Sequence, residues 1–138
     1  TGESFTVTQT SGVYATQHAG SGINVSATLT APNFTATGST QASDYVLPTT
    51  ASGNVGLIDP KTLTASVVGT VEKTYDGTTS ATLSNSNYSF SGLISGESFT
   101  VSQTSGTYAT QHAGSGITVS ASLTSGQFSV TGSTHAGD

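Results

Sequence analysis

The heptapeptide Lys73-Thr74-Tyr75-Asp76-Gly77-Thr78-Thr79 is the strongest turn signal in the sequence, and apolar residues alternate with hydroxyl residues on both sides of it. Asp-Gly tolerates positive φ in a tight two-residue connection, so the segment reads as the corner of a β-hairpin. Tyr75, Asp76 and Gly77 are the structural turn residues of this reading. Tyr75 is expected to anchor the corner against a small core, and Asp76 to cap its own turn through a side-chain oxygen. Upstream, Leu63, Ala65 and Val67 alternate with Thr62, Thr64 and Ser66, a strand that opens this half of the chain. Downstream, Ala81 and Leu83 form the return, Ser84 to Asn87 is a polar turn, and Tyr88 and Phe90 alternate again before a strand at Phe99.

The same period of two runs through the rest of the chain. Phe5 and Val7 alternate with Thr6 and Thr8, and Gln17-His18-Ala19-Gly20-Ser21-Gly22 is a glycine-punctuated loop. Ile23, Val25, Ala27 and Leu29 then face one way and Asn24, Ser26, Thr28 and Thr30 the other, the clearest strand of the sequence. Ala31-Pro32-Asn33 is a turn, Phe34 and Ala36 a strand, Thr40 to Asp44 a loop, and Tyr45-Val46-Leu47 the start of another strand. Ala51-Ser52-Gly53-Asn54 is expected to turn or bulge before Val55 and Leu57. No helical period is sustained. The expectation is an all-β chain of small antiparallel β-sandwich or β-grasp-like modules, thinly packed.

Composition narrows the function. The 138 residues hold 7 Asp+Glu against 2 Lys+Arg, no Cys, no Met and no Trp. Ser and Thr supply 23 and 27 residues, so hydroxyls provide the polarity that charges normally would. Such short or β-branched side chains suit a pleated strand. Without cysteine there is no disulfide, zinc-thiolate or thiol nucleophile, and stability must come from packing. A formal charge of −5 with only Lys61 and Lys73 positive argues against nucleic acid, and no apolar run or basic amphipathic face predicts membrane insertion. The sequence opens at Thr1 rather than Met and shows no signal-peptide pattern, so it reads as a window of a longer protein; zero cysteine and few charges suit an exported one.

Residues 1–44 align without a gap on residues 95–138, an offset of 94, with 32 identical positions of 44. Gly2-Glu3-Ser4-Phe5-Thr6-Val7 recurs as Gly96-Glu97-Ser98-Phe99-Thr100-Val101, and Tyr14 to Ile23 recurs in full from Tyr108 to Ile117. A period of 94 residues suits a whole small domain rather than a solenoid coil. Residues 1–60 are then the C-terminal part of one unit and residues 61–138 the N-terminal part of the next. Asp59, Pro60 and Lys61 form the expected junction, because Pro60 interrupts a strand and holds Asp59 extended. With no Gly/Ser-rich linker, a stiff string of modules is expected.

Tyr75-Asp76-Gly77-Thr78-Thr79 resembles the YDG/MBG-type repeat of large bacterial surface proteins, the filamentous-haemagglutinin-like adhesins of two-partner secretion. Ala113-Gly114-Ser115-Gly116 before a strand, Ala42-Ser43-Asp44-Tyr45, and Ile58-Asp59-Pro60-Lys61-Thr62-Leu63-Thr64 at the junction are similar to that family in the same order. Gln17-His18 and Gln111-His112 stand where the family often carries a lysine-rich loop. The resemblance implies a tandem stalk or fibre module at the cell surface or in extracellular matrix, with no catalysis and no cofactor.

The residues suggest no stronger chemistry. His18, His112 and His135 lack a second ligand at metal spacing in the sequence, and no nucleophile-elbow motif frames a Ser-His-Asp set. Asp44, Asp59, Glu72 and Asp76 are too scattered for a calcium loop. An intramolecular lysine–asparagine bond would have only Lys61 and Lys73 to draw on. The expected function is a structural repeat acting through length, stiffness and β-mediated pairing with neighbouring copies, in the same or another chain. The competing expectation is an autonomous glycan- or protein-binding adhesion module for a host or matrix ligand, although no Trp is present to stack on sugars.

Overall fold

Alternating apolar and hydroxyl residues form short antiparallel strands throughout the computed structural model, which describes residues 2–138. Among the described residues the helical segments are three-residue 3-10 turns, and no helix is long and apolar enough to cross a membrane. The chain divides into two units, one running to Pro60 and including Gly137–Asp138, the other Lys61–Ala136.

The first unit contains β1 (Glu3–Val7), β2 (Val13–Tyr14), β3 (Gly20–Thr28), β4 (Phe34–Gly38) and β5 (Thr50–Ile58). β1 pairs with β4, placing Glu3 opposite Gly38 and Val7 opposite Phe34. A second sheet has the order β2-β3-β5. Hydroxyl side chains lock β1 to β4 and to the chain beyond it: Ser4 Oγ and Thr37 Oγ1 lie 2.5 Å apart, and Thr40 Oγ1 accepts from the Ser4 amide at 2.8 Å. Such cross-strand pairs are the working unit of sheet stability. Phe5 meets Phe34 and Tyr45 edge-on, at centroid distances of 6.1 and 5.5 Å. Ile23 and Leu29 are the buried apolar side chains of this unit.

Two sequence expectations change here. Gly20 and Ser21 belong to β3 rather than a loop, because pairing with β5 continues to Gly20 opposite Ile58. The register shifts between Ser21 and Ile23, where Gly22 has φ +66°, and again between Ile23 and Val25. Bulges with glycine in the left-handed region let the strand continue. Tyr45-Val46-Leu47, by contrast, is not a strand. Tyr45 follows a 3-10 turn at Ala42–Asp44, its ring packs on Phe5 and its hydroxyl donates to Glu3 Oε2 at 2.7 Å. Pro48 has no amide for a ladder, and the strand begins only at Thr50.

The second unit contains β6 (Thr64–Val67), β7 (Ser80–Thr82), β8 (Tyr88–Ser91), β9 (Glu97–Val101), β10 (Ser105–Tyr108), β11 (Val119–Ser120) and β12 (Phe128–Gly132). β6 pairs with β8, β9 with β12, and a third sheet has the order β11-β10-β7. Ala81, Leu83, Val101 and Tyr108 are buried, and Phe90, Phe99 and Phe128 form an aromatic cluster with centroids 5.8 to 6.2 Å apart.

The expected Asp-Gly hairpin does not form. The strands on either side of it, β6 and β7, do not pair with each other; they join β8 and β10 in separate sheets. Gly77 has φ +77°, but no described non-glycine residue has positive φ, so Asp76 does not adopt the conformation that a type I′ turn requires at both central positions. Tyr75 is 62% exposed rather than a core anchor. Tyr108, on β10, is the buried tyrosine.

A recurrent device starts three strands. In Thr30-Ala31-Pro32-Asn33, Ser84-Asn85-Ser86-Asn87 and Thr124-Ser125-Gly126-Gln127, the amide side chain accepts from the backbone N–H three residues earlier, at 2.7, 3.0 and 2.8 Å. The 3-10 turn so closed sets an aromatic residue, Phe34, Tyr88 or Phe128, at the first position of β4, β8 or β12.

Candidate functional site

The Lys73–Asp76 corner is a closed hydrogen-bond cluster. Lys73 Nζ donates to Asp76 Oδ1 and Thr78 O at 2.8 Å and to Thr78 Oγ1 at 2.9 Å, occupying all three ammonium donors. Asp76 Oδ1 also accepts from the Thr78 amide and hydroxyl, both at 2.9 Å. The Lys73 bond, then those from Thr78, lower the Asp76 carboxyl from 3.8 to about 2. The ammonium also lies 5.5 Å from the centre of the Tyr108 ring. These contacts hold the corner to β10 and give Lys73 a structural use.

Of the other sequence-selected residues, Glu72 and His112 line a pocket of about 180 Å³ with Lys73, Tyr75 and Tyr108 at this corner. His18 and His112 occupy matching loop positions, their amides donating to Thr16 and Thr110 hydroxyls at 3.1 and 3.2 Å. Within the first unit, His18 Nδ1 also donates to Asp138 Oδ2 at 2.5 Å, and Ala19 N–H to Asp138 Oδ1 at 2.9 Å. Asp59, Pro60 and Lys61 lie in irregular chain between β5 and β6 and are exposed.

The more distinctive geometry is at the sheet edges. β1 and β4 pair as β9 and β12 do, with Glu3 opposite Gly38 and Glu97 opposite Gly132. β2 and β3 pair as β10 and β11 do, with Val13 opposite Ser26 and Thr107 opposite Ser120. The outer edges differ. In the second unit β7 covers β10, with Ala81 opposite Gly106. In the first unit no described strand covers the matching edge of β2, so Tyr14 is 46% exposed where Tyr108 is 8%. Conversely, β3 is covered by β5 over its whole length, whereas β11 has no described strand on that side and shortens to two residues. Each unit therefore presents the edge that the other covers.

Apolar side chains mark these edges. Val13 on β2 is 69% exposed, and Val55 and Leu57 on β5 are 82% and 60% exposed. Along the uncovered side of β11 runs a groove of about 640 Å³, with Val67, Val71, Tyr108, Ile117 and Val119 among its walls. Sequence reasoning found the strands but missed this asymmetry. The available signal was that identical stretches, such as Tyr14–Ile23 and Tyr108–Ile117, stand beside different flanking sequence.

These features define an all-β chain of small antiparallel sheets. Residues 59–136 match the YDG domain, more than half of the chain, and the protein belongs to the YDG domain family. The match includes Tyr75-Asp76-Gly77 and all of the second unit. No curated protein and no solved structure matches the chain.

Proposed function

We propose that this chain is a length of a structural stalk or fibre, made of successive YDG-type units of about 94 residues and carried at the surface of a bacterium or in its extracellular matrix. It acts through length, stiffness and β-pairing with neighbouring copies, without catalysis. The observation that carries this reading is the pairing register repeated at the 94-residue offset, β1 with β4 as β9 with β12 and β2 with β3 as β10 with β11. An open edge offers unpaired backbone groups, and side chains with few charges do little to repel another strand. Thin cores make each unit depend on such pairing.

The test is electron microscopy of polypeptides carrying one, two and three successive units, together with their thermal stability. Rods that lengthen by a constant axial step, with stability rising with each unit, support the stalk. Separate globules of unchanged stability that saturate with a glycan or protein ligand refute it and favour an autonomous binding module.

A further inference from the structure

The long run of the first unit ends at Pro60, and its last peptide bond joins an aspartate to a proline. The β3–β5 ladder stops with Ile58 opposite Gly20, β6 begins at Thr64, and Asp59-Pro60 lies between them in irregular, exposed chain. The bond is therefore outside every ladder, and it stands at the first position of the YDG match. Pro60 makes it a tertiary amide whose nitrogen carries no hydrogen, and holds Asp59 extended. The Asp59 carboxyl makes no hydrogen bond or ion pair among the described residues, and neither does Lys61, the charge nearest to it along the chain. The strands around it, β3, β5 and β6, carry no titratable side chain.

The other aspartates lack this combination. Asp76 precedes Gly77, and its Oδ1 is held by Lys73 Nζ and by the Thr78 amide and hydroxyl. Asp44 precedes Tyr45, whose amide donates to Ala42 O at 3.3 Å. Asp138 accepts from His18 and from the Ala19 amide. Pro32 and Pro48 follow Ala31 and Leu47.

We propose that Asp59–Pro60 is a self-cleaving site, at which acid severs the chain with water as the co-reactant. The chemistry stands apart from the stalk reading; only its consequence, the shedding of units from a fibre, requires that reading. First, the Asp59 carboxyl oxygen attacks the Asp59 carbonyl carbon and closes a cyclic anhydride. The C–N bond breaks, its electron pair takes up a proton, and Pro60 leaves as a free secondary amine. Water then opens the anhydride, restoring the side-chain carboxyl and giving Asp59 a terminal α-carboxyl. A carboxylate nucleophile divides one difficult hydrolysis into two easier steps, and its attachment to the residue it attacks spares the entropy of bringing two molecules together. Acid supplies the proton that the departing nitrogen needs.

The experiment holds the whole chain at the lowest pH at which circular dichroism shows it folded, and at neutral pH, with intact-mass spectrometry as the readout. In acid, fragments 1–59 and 60–138 are expected, their masses summing to that of the chain plus one water, and forming at least tenfold faster than any other cut. In oxygen-18 water the label should enter fragment 1–59 and not its partner. Asp59→Asn and Pro60→Ala, both outside strands, should each slow the cut at least tenfold with the circular dichroism unchanged. Because no ladder protects the bond, urea should leave the rate nearly the same. Absence of the fragments, cleavage that appears only on unfolding, an unchanged rate in either variant, or cuts spread over other bonds overturns the proposal. Fragments from the chain without rods by microscopy sink the stalk and leave the cleavage site standing; rods that survive acid uncut do the reverse.

Discussion

Gly12 and Gly106 occupy the same place in two nearly identical stretches, yet alanine should have different effects at the two sites. A Cβ on Gly106 would lie 2.8 Å from Leu83 Cδ1, 3.1 Å from Ser120 O and 3.3 Å from Leu83 Cγ. Leu83 is only 3% exposed and cannot swing away. Gly106→Ala should therefore cost about 1–3 kcal/mol, the usual range for overpacking a filled core. At Gly12 the nearest atoms are Ser26 O at 3.2 Å and Val25 Cγ1 at 3.3 Å, tight contacts but not collisions. Gly12 precedes β2 and does not have positive φ; replacing such a glycine gains roughly 0.4–1 kcal/mol by restricting the unfolded chain, which offsets that crowding, so Gly12→Ala should be close to neutral. In a unit of this size the difference corresponds to a shift of roughly 4–8 °C in Tm for each kcal/mol. Leu83→Ala alone should cost about 2–5 kcal/mol by opening a cavity. Adding Gly106→Ala on that background places a methyl group where space has opened, so the double variant should lose less than the sum of the singles. Hydrogen exchange reads the two units separately: the Leu83 and Tyr108 amides, bonded to Thr104 O and Thr79 O, report the second, and Ala15 and Leu29 the first. Equal effects of Gly12→Ala and Gly106→Ala, or a strictly additive cycle, would refute the reasoning.

Asp76→Asn should loosen the Lys73 corner and alter its acid response. The folded carboxyl is lowered from 3.8 to about 2, so its stabilising contribution is present above the unfolded value and disappears as pH falls from about 4 towards 2; the variant should lack that component in acid denaturation. Asn87→Ala removes the acceptor of the Ser84 amide and the donor to Val68 O, and should cost about 0.5–2 kcal/mol in urea unfolding. Tyr88→Phe loses the hydroxyl bond to Gln103 O at 2.9 Å, at about 0.5–1.5 kcal/mol. Burial raises the Tyr88 phenol above 10.0, so its contribution persists below that pH and is lost as pH rises through the folded value; a late-ionising component should vanish from the variant's ultraviolet titration.

The strands at Phe5–Val7, Ile23–Thr28 and Tyr88–Phe90 were legible because side-chain alternation is local and its period is two. Tyr45-Val46-Leu47 misled for the same reason: the pattern is strand-like, but a ring contact with Phe5 and a following proline hold the backbone off any ladder. The Asp-Gly pair was a sound turn signal and a poor hairpin signal. A turn's dihedral preference is local, whereas which strands pair afterwards depends on residues far along the chain. Lys73 was visible as a rare cation, but its three acceptors and the Tyr108 ring beneath it were not.

By itself the sequence determined an all-β chain, the 94-residue correspondence between its halves, and the lack of cysteine and basic surface that excludes whole classes of chemistry. Only the tertiary structure decided that Tyr108 is buried and Tyr14 half-exposed, that β3 runs nine residues and β11 two, and that Val67, Val71, Ile117 and Val119 wall one groove. The physical reason is that a strand's backbone donors and acceptors are satisfied only by another strand. Identical residues therefore become long or short, buried or exposed, according to which neighbour the fold supplies.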